Sequence, residues 1–200
     1  MSPTVVLGLM GSKGSGKDTF ADMLVADHGF TKVAFADALR DALLVLNPVI
    51  MGYSHYEDDL TRYSELIESY GYDEAKRLFP EVRRLLQTLG TDVVRNMIGM
   101  NTWVDILERR IWAMEGPVVV SDVRFRNEAW MVQAQEQGVT LLINRYDPLF
   151  DRDQHQSETD LIGYTPDLTV WNNHDLASLA CDAYAIAKML TGKARNDVGA

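Results

Sequence analysis

Residues 11 to 19, Gly-Ser-Lys-Gly-Ser-Gly-Lys-Asp-Thr, constrain this chain more than any other stretch. The apolar run Thr4 to Met10 precedes them and a helical pattern follows. A buried strand, a glycine-rich turn and a helix, in that order, leave few folds open. The spacing is G-x-x-x-x-G-K, that of a phosphate-binding loop, with Asp18 where serine or threonine usually follows the lysine. Such a loop curls until successive backbone N–H groups point inward as an anion nest. The helix behind it adds unsatisfied donors and the positive end of its dipole. Lys17 is placed to reach the β- and γ-phosphates as a point charge. Asp18 offers a hard carboxylate oxygen to Mg²⁺ in place of the usual hydroxyl, and Thr19 keeps a hydroxyl one residue later. The loop therefore implies a bound triphosphate held by Gly11, Ser12, Lys13, Gly14, Ser15, Gly16, Lys17, Asp18 and Thr19.

Hydrophobic periodicity organises the rest. After the loop helix, ended by Gly29, a short strand is expected over Lys32 to Ala36, and Asp37 is placed to cap the next helix. Residues 48 to about 116 read as helical with breaks. Val82, Leu85, Leu86 and Leu89 repeat at i, i+3, i+4 and i+7, with Pro80 near that helix's start and Gly90 as its stop. Gly116-Pro117 breaks the chain before a third strand, Val118 to Asp122. A helix over Asn127 to Gln137, a fourth strand over Val139 to Asn144 and a polar, lid-like stretch over about 146 to 160 follow. A fifth strand is expected over Asp167 to Trp171, then a helix capped by Asp175 and ended by Gly192. Cys181 lies in that helix's alanine-rich pattern and reads as an inert packed thiol. Alternating strands and helices give an α/β fold: a three-layer αβα arrangement of the P-loop kinase type. It has a five-stranded parallel sheet, a helical insertion between strands two and three, and a lid. The 200 residues suit one domain over 1–192 with a flexible tail at 193–200.

Ligands of such sheets bind beyond the carboxyl ends of the strands. The phosphate loop, Asp37, Asp122, Arg145 and Asn172-Asn173 all follow strand ends and should converge. Asp122 closes an apolar strand, the Walker B pattern whose carboxylate holds Mg²⁺; a helix cap is the other reading. Arg124, two residues on, can aim a cation at a moving phosphoryl group, with Arg145 and Arg152 flanking the polar stretch as clamps that exclude water. Asp37 and Arg40 begin the second helix, where Asp37 either takes a ligand hydroxyl, orients Arg40 or caps the helix. Arg83, Gln87 and Arg95 lie in the insertion, where an arginine suits an acceptor phosphate and Gln87 a base edge; a solvated face is the alternative. Trp103 is either a stacking surface or a core residue. The corner Asn172-Asn173-His174-Asp175 either holds adenine, through Asn173, or is a turn and cap. His155 reads as a loop hydrogen-bonder, and Ser157 as the cap of a short helix.

The formal charge of −10 argues against a general nucleic-acid binder. A single cysteine excludes an internal disulfide. The N-terminal apolar run is too short for a signal peptide, and no stretch is long enough to span a bilayer. A soluble, cytoplasmic protein is expected, without membrane or nucleic-acid partners.

Taken in order, Gly14-Ser-Gly-Lys-Asp-Thr19, Phe35-Ala-Asp37, Leu86-Gln-x-Leu-Gly-Thr91, Trp103, Asp122-Val-Arg-Phe125 with Asn127-Glu128, and His155-x-Ser-Glu158 resemble the deoxynucleoside monophosphate kinases of tailed bacteriophages. The likeness runs from about residue 4 to 190. It implies transfer of the γ-phosphate of ATP to a deoxynucleoside monophosphate, with Mg²⁺, a P-loop kinase fold and often a homodimer, in the host cytoplasm if phage-encoded. On this reading Lys17, Asp18 and Arg124 are catalytic, and Asp18 and Asp122 organise the metal. The loop with Arg145 and Asn173 binds ATP, and Asp37, Arg40, Arg83, Gln87, Trp103, Arg124 and Arg152 face the acceptor. The family commonly has proline after Phe-Ala-Asp, where this chain has Ala38. Three other functions share parts of the pattern. They are a kinase of dephospho-coenzyme A or phosphomevalonate, a non-catalytic nucleotide-binding regulator, and a nucleic-acid-dependent motor ATPase. The size, charge and lid-like stretch argue against the last.

Overall fold

The computed structural model describes residues 3–51, 60–145 and 160–194. The chain divides into two compact units, one of Met1–Phe35 with Leu107–Ala200, the other of Ala36–Ile106.

The first unit carries the five-stranded parallel sheet. Its strands are β1 (Val5–Met10), β2 (Thr31–Val33), β5 (Pro117–Val120), β6 (Gly138–Asn144) and β7 (Leu168–Trp171), in the order β2-β5-β1-β6-β7. β1 lies at the centre, with Val5 opposite Pro117 on one side and Val6 opposite Gly138 on the other. All six of its residues are buried, as a strand covered on both faces requires. One face carries Val5, Leu7 and Leu9. Against it pack Phe20, Ala21 and Leu24 of α1 (Lys17–His28) and Leu179, Ala183, Ala187 and Leu190 of the last helix, α7 (Leu176–Ala194). On the other face Gly8 leaves room for Val132 of α6 (Arg126–Gln133), whose methyl carbon lies 3.0 Å from where a Cβ would stand. Helices on both faces make the three-layer αβα sandwich. The outward turn of α7 carries Cys181, which is exposed rather than packed: it stands two residues from buried Leu179, close to the opposite side of the helix.

The second unit holds most of α2 (Phe35–Leu46), an antiparallel pair β3 (Val49–Met51) and β4 (Leu60–Arg62), then α3 (Tyr63–Leu78) and α4 (Pro80–Gln87). A π-helical segment over Thr88–Ile98 follows, and then the first residues of α5 (Thr102–Trp112). Its core joins Leu43, Ile50, Tyr63, Leu66, Ala75, Val82 and Leu86.

Several boundaries differ from the sequence reading for identifiable reasons. β2 ends at Val33, and Phe35 already begins α2, because Asp122 Oδ1 accepts the Phe35 N–H at 2.7 Å. Asp37 therefore sits in the first turn rather than at the cap. The stretch after residue 48 contains the β3–β4 pair as well as helices. Gly90 does not stop the helix: it packs against Leu39, where a Cβ would come within 2.9 Å of a methyl carbon, and the chain continues in wider turns. The third strand stops at Val120, leaving Asp122 in the turn beyond it, and α6 ends at Gln133. α7 runs past Gly192 to Ala194. Pro80 at the start of α4, the left-handed Gly29 after α1 and the Asp175 cap, which accepts the Ser178 N–H at 2.9 Å, stand as expected.

The return into β7 is fixed by polar anchors. Asp167 Oδ2 accepts the backbone N–H of Thr140 at 2.8 Å and its hydroxyl at 2.7 Å, and Gln133 Nε2 donates to the same carboxylate. Partial burial pushes the Asp167 pKa up, but these hydrogen bonds outweigh it and hold the carboxyl below its ordinary value. A carboxyl depressed in the folded state contributes stability that is complete above its unfolded pKa and is lost as pH falls through the folded value. Urea midpoints measured from neutral pH down into the acid range should show a shallower acid limb for Asp167→Asn than for the parent.

Candidate functional site

At the carboxyl end of β1 the chain turns through the phosphate loop into α1. Gly16 takes the N-cap position with φ 102° and ψ 12°, a conformation that strains any side chain, and a Cβ there would run into Asn172 Nδ2. Gly11 is equally constrained, since a Cβ on it would meet the carbonyl oxygen of Ile143. Asn172 Nδ2 donates to the Ser15 carbonyl at 2.8 Å, and the Asn172 N–H donates to Asn144 O at 2.7 Å. The loop is thereby tied to the ends of β6 and β7. Lys17 opens α1 and is buried, and its ammonium donates to Gly11 O at 2.7 Å and Ser12 O at 2.8 Å. A cation, a helix N-terminus and a glycine-rich turn thus occupy one place, a combination suited to a polyanion.

A cavity of about 380 Å³ opens beside this loop. Gly14, Gly16, Lys17, Asp18 and Thr19 line it with Arg145, Asn172, His174, Asp175, Leu176 and Leu179. Arg145, read from the sequence as a clamp, is among the lining residues; Asn173 is not, whereas its neighbours Asn172 and His174 are. The residues after β7 were legible as a strand-end corner, but which of them faces the cavity depends on backbone turns that no spacing rule gives.

Asp18 is 81 % exposed and lies 3.3 Å from Lys32 Nζ, which also meets Asp22 at 2.9 Å. Burial lowers the Lys32 pKa, but the hydrogen bond to Asp22 and the charge of Asp18 outweigh it and raise it overall. This pairing escaped the sequence reading because β2 and α1 meet only in three dimensions.

Asp122 stands in the turn after β5, half-buried, with Oδ1 on the Phe35 N–H. It thus places a carboxylate at the N-terminus of α2, where the helix dipole favours it. Arg124 is half-buried on the same turn, shaped by Glu128. That buried carboxylate accepts the N–H of Arg124 at 2.7 Å and of Phe125 at 3.0 Å. Arg126 anchors a different segment: its N–H and Nε donate to Asp160, and its Nη2 donates to Ile162 O at 2.8 Å. Arg152, His155 and Ser157, with most of the lid-like stretch, lie outside the described residues.

The other expected acceptor residues lie in the second unit. Arg40 Nη1 is 3.3 Å from Asp37 Oδ1, and the guanidinium sits 3.8 Å from the ring centroid of Tyr72. Beside them the Tyr63 hydroxyl is buried without a hydrogen-bond partner. Burial, and secondarily Tyr72, push its pKa up to about 12 against the opposing charge of Arg40. Arg83 and Gln87 stand four residues apart on α4, hence on one face. Trp103 is half-buried and its indole Nε1–H donates to Gly90 O at 2.9 Å.

Among the described residues no group of three or more His, Cys, Asp or Glu could hold a metal by itself. Asp18, Asp122 and the Thr19 hydroxyl are nevertheless hard oxygen donors of the kind Mg²⁺ takes when it keeps waters and phosphate oxygens as its remaining ligands. No helix among the described residues is long and apolar enough to cross a membrane.

A family model described as deoxynucleotide monophosphate kinase matches residues 74–182. A protein of Acanthamoeba polyphaga mimivirus, assigned by its name to the deoxynucleotide monophosphate kinases, is 33% identical over 175 residues. The match covers 78% of this chain and 82% of that protein. A deoxynucleoside-5'-monophosphate kinase of Escherichia phage T5 is 25% identical over 183 residues, covering 65% of this chain and 72% of its own length. Among solved structures, a gluconokinase from Sinorhizobium meliloti 1021 aligns over 98% of this chain and 97% of its own, with a TM-score of 0.49 and 15% sequence identity.

Proposed function

Because the chain belongs to the deoxynucleotide monophosphate kinase family, we propose that it transfers the γ-phosphate of ATP to a deoxynucleoside monophosphate, giving a deoxynucleoside diphosphate and ADP. The observation that supports this most is the phosphate loop, with buried Lys17 at the mouth of a cavity large enough for a nucleotide. On this reading the loop amides and Lys17 hold the β- and γ-phosphates. Arg145, Asn172 and His174 border the rest of the donor nucleotide, with Asn173 beside them. Asp122 and Asp18 are the residues to hold Mg²⁺, Asp18 from the position it shares with Lys32. Mg²⁺ when bound supplies charge neutralisation across the phosphate oxygens. Arg124, on a turn held by Glu128, directs its cation to the transferred group, with Arg152 from the polar stretch. Phosphoryl transfer asks little covalent help of the protein, so these positions and charges are the catalysis.

The stretch of about 48–116, most of it within the Ala36–Ile106 unit, is read as the acceptor-binding insertion of a single kinase domain. Asp37, Arg40, Arg83, Gln87 and Trp103 belong to the acceptor side. A cytoplasmic homodimer is the assembly expected from the resemblance, and light scattering on the purified protein reads it directly.

Phosphorus NMR of a reaction containing Mg-ATP and a deoxynucleoside monophosphate tests the reading. Resonances of a deoxynucleoside diphosphate should grow in step with those of ADP. Arg124→Ala should slow this turnover by about 10²–10³-fold, as removal of other electrostatic stabilisers does. A folded variant with near-normal turnover removes Arg124 from the mechanism.

A further inference from the structure

The segment Thr88–Ile98 is π-helical over eleven residues, and its i→i−5 pattern closes with the Gly99 N–H donating to Val94 O at 2.8 Å. π-Helical turns normally occur singly and gather at functional sites, so a run of this length calls for a reason. Its geometric effect is specific. In an α-helix, residues four apart drift by about 40° around the axis. In a π-helix of about 4.4 residues per turn the same step drifts about 30° the other way. Arg83 and Gln87 are on α4, while Thr91 and Arg95 are in the π segment. Continued as an α-helix, the series would carry Arg95 about 120° from Arg83. The switch at Thr88 folds it back, leaving all four within roughly 70° of arc.

The four residues differ in depth. Arg83 and Gln87 are half-buried, whereas Thr91 and Arg95 are each 8 % exposed. Arg95 Nη1 donates to Met100 O at 3.3 Å, which ties its guanidinium to the turn that ends the segment. Two contacts brace the wider turns. Gly90 lies against Leu39, whose methyl carbon would stand 2.9 Å from a Cβ, and Trp103 Nε1 donates to the Gly90 carbonyl.

We propose that the π segment exists to align Arg83, Gln87, Thr91 and Arg95 as one recognition edge for the acceptor nucleotide, with Thr91 and Arg95 as further specificity-determining residues and Trp103 as a positioning residue. From Arg83 to Arg95 the edge spans twelve residue steps, at most about 18 Å at 1.5 Å per step, long enough to run beside a whole nucleoside monophosphate. Its chemistry matches that ligand. An amide and a hydroxyl, Gln87 and Thr91, offer donors and acceptors to a base edge, and the arginines at its ends suit a phosphate. Trp103 acts through the Gly90 carbonyl rather than by stacking on the base.

This inference rests on the kinase reading above, and one experiment separates the two. Steady-state kinetics with each common deoxynucleoside monophosphate, alongside thermal melts, should be run on the parent, Thr91→Val, Arg95→Lys, Arg95→Met and Trp103→Phe. Thr91→Val and Arg95→Met should raise KM for the acceptor about tenfold, the worth of one lost hydrogen bond, with KM for ATP unchanged. The Thr91→Val effect should differ between bases, and Arg95→Lys should recover part of the loss. Trp103→Phe should raise acceptor KM about threefold through the shifted edge while sparing kcat. Lower melting temperatures with unchanged acceptor KM, or equal rises in both KM values, would overturn the recognition edge. A parent that turns over no deoxynucleoside monophosphate would instead overturn the kinase reading itself. If Arg95→Met does not fold, the near-isosteric Thr91→Val and the conservative Arg95→Lys still decide the matter.

Discussion

Lys17→Met should lower kcat/KM for ATP by about 10³-fold, equivalent to roughly 4 kcal/mol of lost transition-state stabilisation. The variant isolates the charge. Lys17 is the first residue of α1, and its buried stem leads to an ammonium held by Gly11 O and Ser12 O. Methionine keeps an unbranched apolar stem of similar length, so the packing at the start of α1 survives while the cation is removed. Circular dichroism and a thermal melt close to the parent's would establish that the fold is intact. A folded Lys17→Met protein that keeps a third or more of the parental kcat/KM would show that the loop binds phosphate without Lys17, and the donor half of the account would fall.

Asp122→Asn is the second large expectation, a loss of about 10³-fold in turnover at saturating Mg-ATP with little change in stability. The task the structure shows for Asp122 and the one proposed for it are separable. One oxygen accepts the Phe35 N–H at 2.7 Å and starts α2; the carboxylate charge is what the proposed metal role needs. An asparagine side-chain oxygen can still accept from Phe35, but it carries no charge. Asp122→Ala loses both, and should add a destabilisation of about 1 kcal/mol, the usual cost of a lost cap. If Asp122→Asn turns over like the parent while Asp122→Ala is merely less stable, Asp122 is a helix anchor only.

The sheet and the donor-side loop were legible because their signals are local. Six buried residues, a glycine turn and a lysine sit in unbroken sequence at β1 and the loop. The strand-end rule then picked out Asp122, Arg145 and the corner after β7. What escaped the sequence depends on contacts between distant residues. Asp122 starting α2 links residues 87 apart, and Asn172 holding Ser15 links residues 157 apart. The wider turns after Gln87 escaped for another reason. Gly90 reads as a helix stop by composition, but Leu39 and Trp103 supply the packing and the hydrogen bond that let the chain wind on. Sequence leaves Trp103 between a stacking and a core role. The structure gives its indole N–H a partner on that very segment. On the acceptor side the pairing of Arg40 with Asp37 follows from helical spacing, whereas the stacking of Arg40 on Tyr72 joins two helices and has no sequence signal.

The identity of the acceptor decides the reading of this protein, and a coupled ADP-release assay reads it out. The protein is incubated with Mg-ATP and, in separate reactions, each common ribo- and deoxyribonucleoside monophosphate, dephospho-coenzyme A, phosphomevalonate, and DNA or RNA. ADP release should depend on a deoxynucleoside monophosphate and yield its diphosphate in equal amount. ADP release with a non-nucleotide acceptor, or only with a nucleic-acid polymer, together with none from any deoxynucleoside monophosphate, would contradict it.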